Sequence, residues 1–182
     1  MARRVSKGDA DAARAFVRAH YERIYRYLAH VCRNEATAED LTQETFTSAW
    51  RAIGRFGGSA SLATWLHRIA RNKFLDHYRR RRRRPTIEAG DVERSDGHDP
   101  LADLLADEQR RRLYWAVETL AEAERERIVL HYFQGLTYRE MADVLDEPVG
   151  TVKWRTGRAL KQLRVLMNGE ADHADQTRRQ QP

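Results

Sequence analysis

Gly135-Leu-Thr-Tyr-Arg-Glu-Met-Ala-Asp-Val-Leu-Asp-Glu-Pro-Val-Gly-Thr-Val-Lys-Trp-Arg-Thr-Gly-Arg158 is the stretch whose reading settles the architecture. Thr137 and Glu140 stand three apart ahead of an apolar run, so each side chain can satisfy the other's free backbone amide at a helix start. Met141, Ala142 and Leu145 give that helix its apolar side, and small Ala142 permits close approach of a neighbour. Asp146-Glu147-Pro148 ends it, and Pro148 or Val149 suits the first turn of a second helix. There Val152, Thr156, Ala159, Leu160 and Leu163 face inward while Trp154, Arg158 and Lys161 project roughly the opposite way. Capped helix, tight turn and basic helix together have the layout of a helix-turn-helix, with an outer face that can enter a major groove. Between Val149 and Met167 there are five basic residues and no acidic one, so attraction to phosphate is not cancelled locally. A packing-only helical hairpin is the bland alternative. Gly157 in mid-helix costs about 1 kcal/mol against alanine, which close backbone approach to DNA explains. Asp146 occupies a turn position where glycine is usual; aspartate tolerates the left-handed conformation better than most residues.

Helical spacing extends in both directions. Leu101, Leu104, Leu105, Leu113, Val117 and Leu120 predict one helix, Ile128, Val129, Tyr132 and Phe133 a second that Gly135 closes, and the last helix runs to about Met167 before a frayed polar tail, 169–182. In the first half, Phe16, Val17, His20, Tyr21, Ile24, Leu28 and Val31 predict an amphipathic helix from about Asp11 to Cys32. Thr37 is the expected N-cap of the next, its hydroxyl reaching the amide of Asp40, with Leu41, Thr45, Phe46, Ala49, Trp50 and Ile53 forming the apolar side. Gly54, Gly57 and Gly58 stop it. A third helix starts near Ser61, with Leu62, Leu66, Ile69, Ala70 and His77 on one face and Arg68, Arg71, Leu75 and Arg79 opposite; Lys73 falls on the apolar side and must snorkel. The four prolines are Pro85, Pro100, Pro148 and Pro182, and no alternation at period two occurs. The expected fold is therefore all-α: two small helical domains, 1–84 and 101–168, joined by a flexible acidic linker over 85–100 whose residues, fully stretched, reach on the order of 50 Å.

The charge is polar along the chain. Residues 1–84 carry 19 Lys/Arg against 8 Asp/Glu, whereas 85–182 carry 14 against 19, so a net +6 conceals +11 and −5. Six consecutive arginines, Arg79 to Arg84, end the first half. Such a concentration implies a polyanionic partner, nucleic acid or an anionic membrane surface. With 41% hydrophobic and 33% charged residues in 182, a wholly disordered chain and a membrane-inserted one are both excluded. No 18-residue apolar run and no apolar stretch behind Arg3 and Arg4 is present, so the expected location is the cytosol. Cys32 is the lone cysteine, which rules out an intramolecular disulfide or a multi-cysteine zinc site. No Walker loop, dinucleotide glycine fingerprint, nucleophile elbow or His-Glu-x-x-His pair occurs, and His67, Asp76 and His77 point in different directions. No catalytic residue, metal or cofactor is expected.

Taken together, the segments from about Phe16 to Met167 resemble the bacterial RNA polymerase sigma factors of the extracytoplasmic-function group, which keep only the second and fourth conserved regions. Asp40-Leu-Thr-Gln-Glu-Thr-Phe46 resembles the segment that grips the largest-subunit clamp, Trp65-Leu-His-Arg-Ile-Ala-Arg-Asn-Lys-Phe-Leu-Asp76 the minus-ten helix, and Pro148-Val-Gly-Thr-Val-Lys153 the start of the minus-thirty-five recognition helix. The resemblance implies polymerase binding by Asp40, Gln43, Glu44 and Phe46. It implies a minus-ten site of Phe56, Ser59, Ser61, Trp65, Arg68, Arg71, Asn72 and Arg79, where a base taken from the stack must be held. The implied minus-thirty-five set is His131, Thr151, Lys153, Trp154, Arg155, Gly157 and Arg158. His131 stands where the family often has arginine and Trp154 where a small polar residue is usual, which leaves the recognised bases open. The implied partners are core RNA polymerase, through its clamp and flap, promoter DNA, and a cognate anti-sigma protein, with no membrane insertion. The competing binding-module reading is a stand-alone helix-turn-helix repressor or activator whose first half binds a ligand or dimerises.

Overall fold

A computed structural model describes residues 2–5, 9–83 and 108–179, without the side chains of 2, 3, 82, 108 and 169–179. The expected linker and the turn carrying Leu101, Leu104 and Leu105 lie outside the described residues. Every regular element among the described residues is helical: α1 Ala2–Val5, α2 Ala10–Cys32, α3 Glu35–Ala52, α4 Leu62–Arg83, α5 Glu108–Thr119, α6 Glu122–Ile128, α7 Tyr138–Leu145 and α8 Val149–Arg179.

The ends of these helices show why the chain divides as it does. Asp9 caps α2 by accepting from the amide of Ala12, and Arg33 closes it with a left-handed backbone. The cap of α3 is not Thr37: Asn34 accepts from the Thr37 amide at 2.8 Å, so the helix starts three residues earlier than expected. Both side chains are competent caps; the left-handed Arg33 directs the chain so that Asn34, in extended conformation, takes the role. A 3-10 turn, Ile53–Arg55, follows α3. The Thr137–Glu140 box forms as expected, Thr137 Oγ1 accepting from the Glu140 amide and Glu140 Oε2 from the Thr137 amide. Asp146 adopts φ 56°, and its amide closes α7 on the carbonyl of Ala142.

Two expectations fail at the helix ends of the second half. α6 does not continue regularly through Phe133; Val129–Phe133 forms a π-helical turn. The wider turn rotates Tyr132 and Phe133 out of the buried stripe, leaving them 53% and 43% exposed, while Ile128, Val129 and Leu130 stay inside. α8 runs to Arg179 instead of stopping near Met167, since residues 170–179 contain neither glycine nor proline and Gly169 alone does not break it.

In the first half α2, α3 and α4 pack around Phe16, Ile24, Leu28, Leu41, Ala49, Leu66 and Ala70. In the second, α5 to α8 enclose Val117, Leu130, Met141, Val144, Val152 and Ala159. The halves also touch one another. α4 lies against α7 and α2 against α6, so the face of α4 that sequence spacing turns outward is partly covered. Tyr27 is fully buried there and donates to Glu126 Oε1 at 2.8 Å, to which Arg71 Nε donates at 3.0 Å. Arg23 donates to the Gln134 carbonyl, Thr64 to Glu140 at 3.1 Å, and Arg33 pairs with Glu118 at 3.0 Å. Lys73 escapes the apolar side as expected, reaching Glu44 at 3.4 Å. Burial pushes the Cys32 thiol up to about 12, so it stays an unreactive neutral group.

Candidate nucleic-acid interface

α8 is held by one stripe and free on the other. Val152, Thr156, Ala159 and Leu163 are buried, Leu160 is partly so, and Thr156 returns its hydroxyl to the Val152 carbonyl at 2.8 Å. Lys153, Trp154, Arg155, Gly157, Arg158 and Lys161 are exposed, with Trp154 the most open aromatic at 64%. The structure therefore brings Lys153, Trp154, Arg155, Gly157 and Arg158 together on one accessible helix, with Thr151 half-buried beside them. A Cβ at Gly157 would meet nothing within 4 Å inside the protein, so no internal packing demands a glycine there. Arg158 lies 5.9 Å above the Trp154 ring and reaches Glu124 at 3.7 Å. His131 is set apart from this face: its ring stacks on Tyr138 at 4.5 Å, and Nδ1 lies 2.8 Å from the Leu136 carbonyl.

The loop between α3 and α4 is stapled rather than loose. Phe56 and Trp65 pack with ring centroids 5.3 Å apart, and Ser61 caps α4, its Oγ accepting from the Thr64 amide at 3.0 Å. Ser61 is thus engaged in folding, while Ser59 is exposed at the loop tip beside left-handed Gly58. Arg68 and Asn72 are exposed on α4. Arg71 is not: it is bound to Glu126, and only 17% of its side chain is accessible. Arg79 pairs with Asp76 one turn away. Sequence spacing could not show the Glu126 contact because the two residues are 55 positions apart.

On α3, Asp40, Gln43 and Glu44 are exposed within about one turn, and Phe46 is half-buried against Phe16 and Tyr21. Around it Val17, Tyr21 and Trp50 leave apolar surface open. Spacing placed Val17 and Tyr21 in the core stripe of α2; they stand at its edge. Among the described residues no group of His, Cys, Asp and Glu could hold a metal ion, and no helix is long and apolar enough to cross a membrane.

The described residues thus form a helical bundle with a polar α3 face, followed by a helix-turn-helix with a basic outer face. Residues 16–84 match Sigma-70 region 2 and residues 110–163 match Sigma-70, region 4. The RNA polymerase sigma-H factor of Pseudomonas aeruginosa is 34% identical over 166 residues, 86% of each chain. The ECF RNA polymerase sigma-E factor of Haemophilus influenzae is 31% identical over 171 residues, 88% of this chain and 89% of the relative. The solved structure of CnrH in complex with the cytosolic domain of CnrY superposes with a TM-score of 0.62 at 27% identity, covering 92% of this chain and 95% of CnrH. The chain belongs to the sigma-70 family of RNA polymerase sigma factors, in its extracytoplasmic-function group. The repressor alternative gives the first half no reason to match region 2.

Proposed function

We propose that this chain joins core RNA polymerase, takes it to a subset of promoters and helps open them, with region 2 on the polymerase and minus-ten element and region 4 on the minus-thirty-five element. The observation that carries the reading is the first part of α8: from Val149 to Met167 it is anchored by four buried residues and presents an acid-free cationic face to solvent. Asp40, Gln43 and Glu44 supply carboxylate and amide groups for a basic partner on the clamp, and the apolar margin of Val17, Tyr21, Phe46 and Trp50 adds area beside them. Phe56, Ser59 and Trp65 frame the place for an extruded base, with Arg68 and Asn72 toward the backbone phosphates.

The packing of α4 on α7 belongs to a state that is not engaged on DNA. Minus-ten and minus-thirty-five elements lie about 25 base pairs apart, roughly 85 Å of duplex, whereas a compact chain of this length is about 40 Å across. The halves separate to reach both, and Arg71 exchanges the Glu126 carboxylate for nucleic acid. A cognate anti-sigma protein is part of this reading, supported by likeness to CnrH, which was solved with CnrY. The exposed aromatic residues around Phe46 offer it a surface.

Run-off transcription on a pool of genomic fragments tests the assignment. Core polymerase with this protein is expected to start at a discrete set of sites that core enzyme alone does not use. Unchanged start-site choice would reject it.

A further inference from the structure

The turn of the helix-turn-helix contains an ion arrangement that reading the chain for DNA contacts does not account for. Glu147 Oε1 accepts from Arg127 Nη2 at 2.7 Å and from Arg155 Nη1 at 2.9 Å. Arg127 comes from α6, its side chain is 6% exposed, and its other arm donates to the Ala123 carbonyl. It is therefore fixed at both ends, and it fixes the carboxylate. Arg155, by contrast, is half-exposed on the recognition helix. Half of the Arg155 side chain stays in water, so its own charge does not need the pair for solvation. Lys153, Lys161 and Arg164 on the same helix have no ion pair among the described residues, so only some of its cations are tethered.

A guanidinium that donates through Nη1 keeps its Nε–Nη2 edge, two parallel donors in a rigid fork. Guanine presents the matching acceptors, O6 and N7, in the major groove, and arginine on guanine is the commonest specific base contact. Holding the fork before binding removes rotamer entropy that a free arginine would lose on the DNA. We infer that Glu147 is a positioning residue: anchored by buried Arg127, it sets Arg155 to read a guanine in the upstream promoter element. The inference rests on the proposed role of α8 as the recognition helix.

The test uses the full chain assembled with core polymerase and promoter DNA carrying a randomised eight-base-pair window upstream, selected by binding at two salt concentrations. Wild type is expected to enrich guanine at a defined position, and Arg155→Ala to abolish that enrichment. Glu147→Gln keeps an acceptor but loses the charge; it is expected to lower the enrichment at that position about ten-fold. Other positions change less than two-fold and the salt slope stays the same. In an Arg155→Ala background Glu147→Gln adds no further loss. Because an unpaired Arg127 could unfold the turn, the double variant Arg127→Leu, Glu147→Leu replaces the pair with apolar groups, which buried pairs commonly tolerate; it folds and shows the same selective loss. An even weakening at all positions, a further loss without Arg155, or guanine enrichment retained in the double-leucine protein would overturn the inference while leaving the recognition helix in place. Absence of any preference in the wild-type window, or a preference indifferent to Arg155→Ala, Lys153→Ala and Arg158→Ala, would overturn both.

Discussion

His67 shows how a single buried residue ties the fold to pH. It is fully buried beneath Tyr27, with ring centroids 5.4 Å apart, and its Nδ1 meets the Ala63 carbonyl at 2.8 Å. Burial is the first cause that holds its pKa down to about 4, with the Arg23 charge acting in the same direction. Above pH 6.5 the imidazole is neutral folded or unfolded and pH has no leverage. Between about 6.5 and 4 the unfolded chain binds a proton that the folded one refuses, so stability falls with falling pH by roughly 3 kcal/mol in all. Urea unfolding midpoints at pH 7.5 and 4.5 check this: His67→Phe is expected to flatten the difference. Thr137 is a second residue with a legible role. Thr137→Ala removes the capping box and is expected to cost about 1 kcal/mol in urea unfolding. Glu140 keeps the backbone amide of residue 137, the first cause that holds its carboxyl below its usual range, and loses only the hydroxyl bond.

At the scale of elements, the proposed role of α8 distinguishes contacts that read bases from contacts that only hold phosphate. Lys153 and Lys161 are exposed and carry no partner among the described residues, so they suit phosphates. Lys153→Ala and Lys161→Ala are each expected to weaken holoenzyme binding evenly across promoter sequences and to reduce the slope of log K against log salt by about 1. A change in base preference on either would contradict that role. The π-helical turn after α6 illustrates how an element departs from its period. Tyr132 and Phe133 continue a 3.6-residue stripe in the sequence, yet one wide turn moves both outward. Phe133 then meets His30 of the first half at 5.2 Å, a contact that helical periodicity does not contain.

For the molecule as a whole, the packing of α4 on α7 controls what is available. Arg68 faces solvent while Arg71 is occupied by Glu126, so this packing withholds one cation of the proposed minus-ten set rather than all of them. Glu126→Gln keeps an acceptor for Tyr27 and removes the charge facing Arg71. A charge-assisted buried bond of this kind contributes roughly 2 kcal/mol. The variant is expected to shift the free protein toward separated halves, read as lower energy transfer between dyes on α3 and α8. Wild type should reach the same low transfer only with core polymerase and promoter DNA. Equal transfer in free wild type and variant would show that the pair does not hold the halves together.

The all-α class, the helix-turn-helix, the capping box, the left-handed Asp146 and the exposed face of α8 were determined by the sequence itself, because each depends on residues within a few positions of one another. Periodicity and capping are local physics, and the notable local error, Thr37 for Asn34, was a choice between two adequate caps. The tertiary structure alone decided that Arg71 is engaged and that Glu147 bridges Arg127 and Arg155. Those outcomes depend on which faces meet across 20 and 55 residues of chain. Charge and hydropathy along one strand of sequence carry no record of such meetings; they follow from close packing and from the requirement that buried ions find partners.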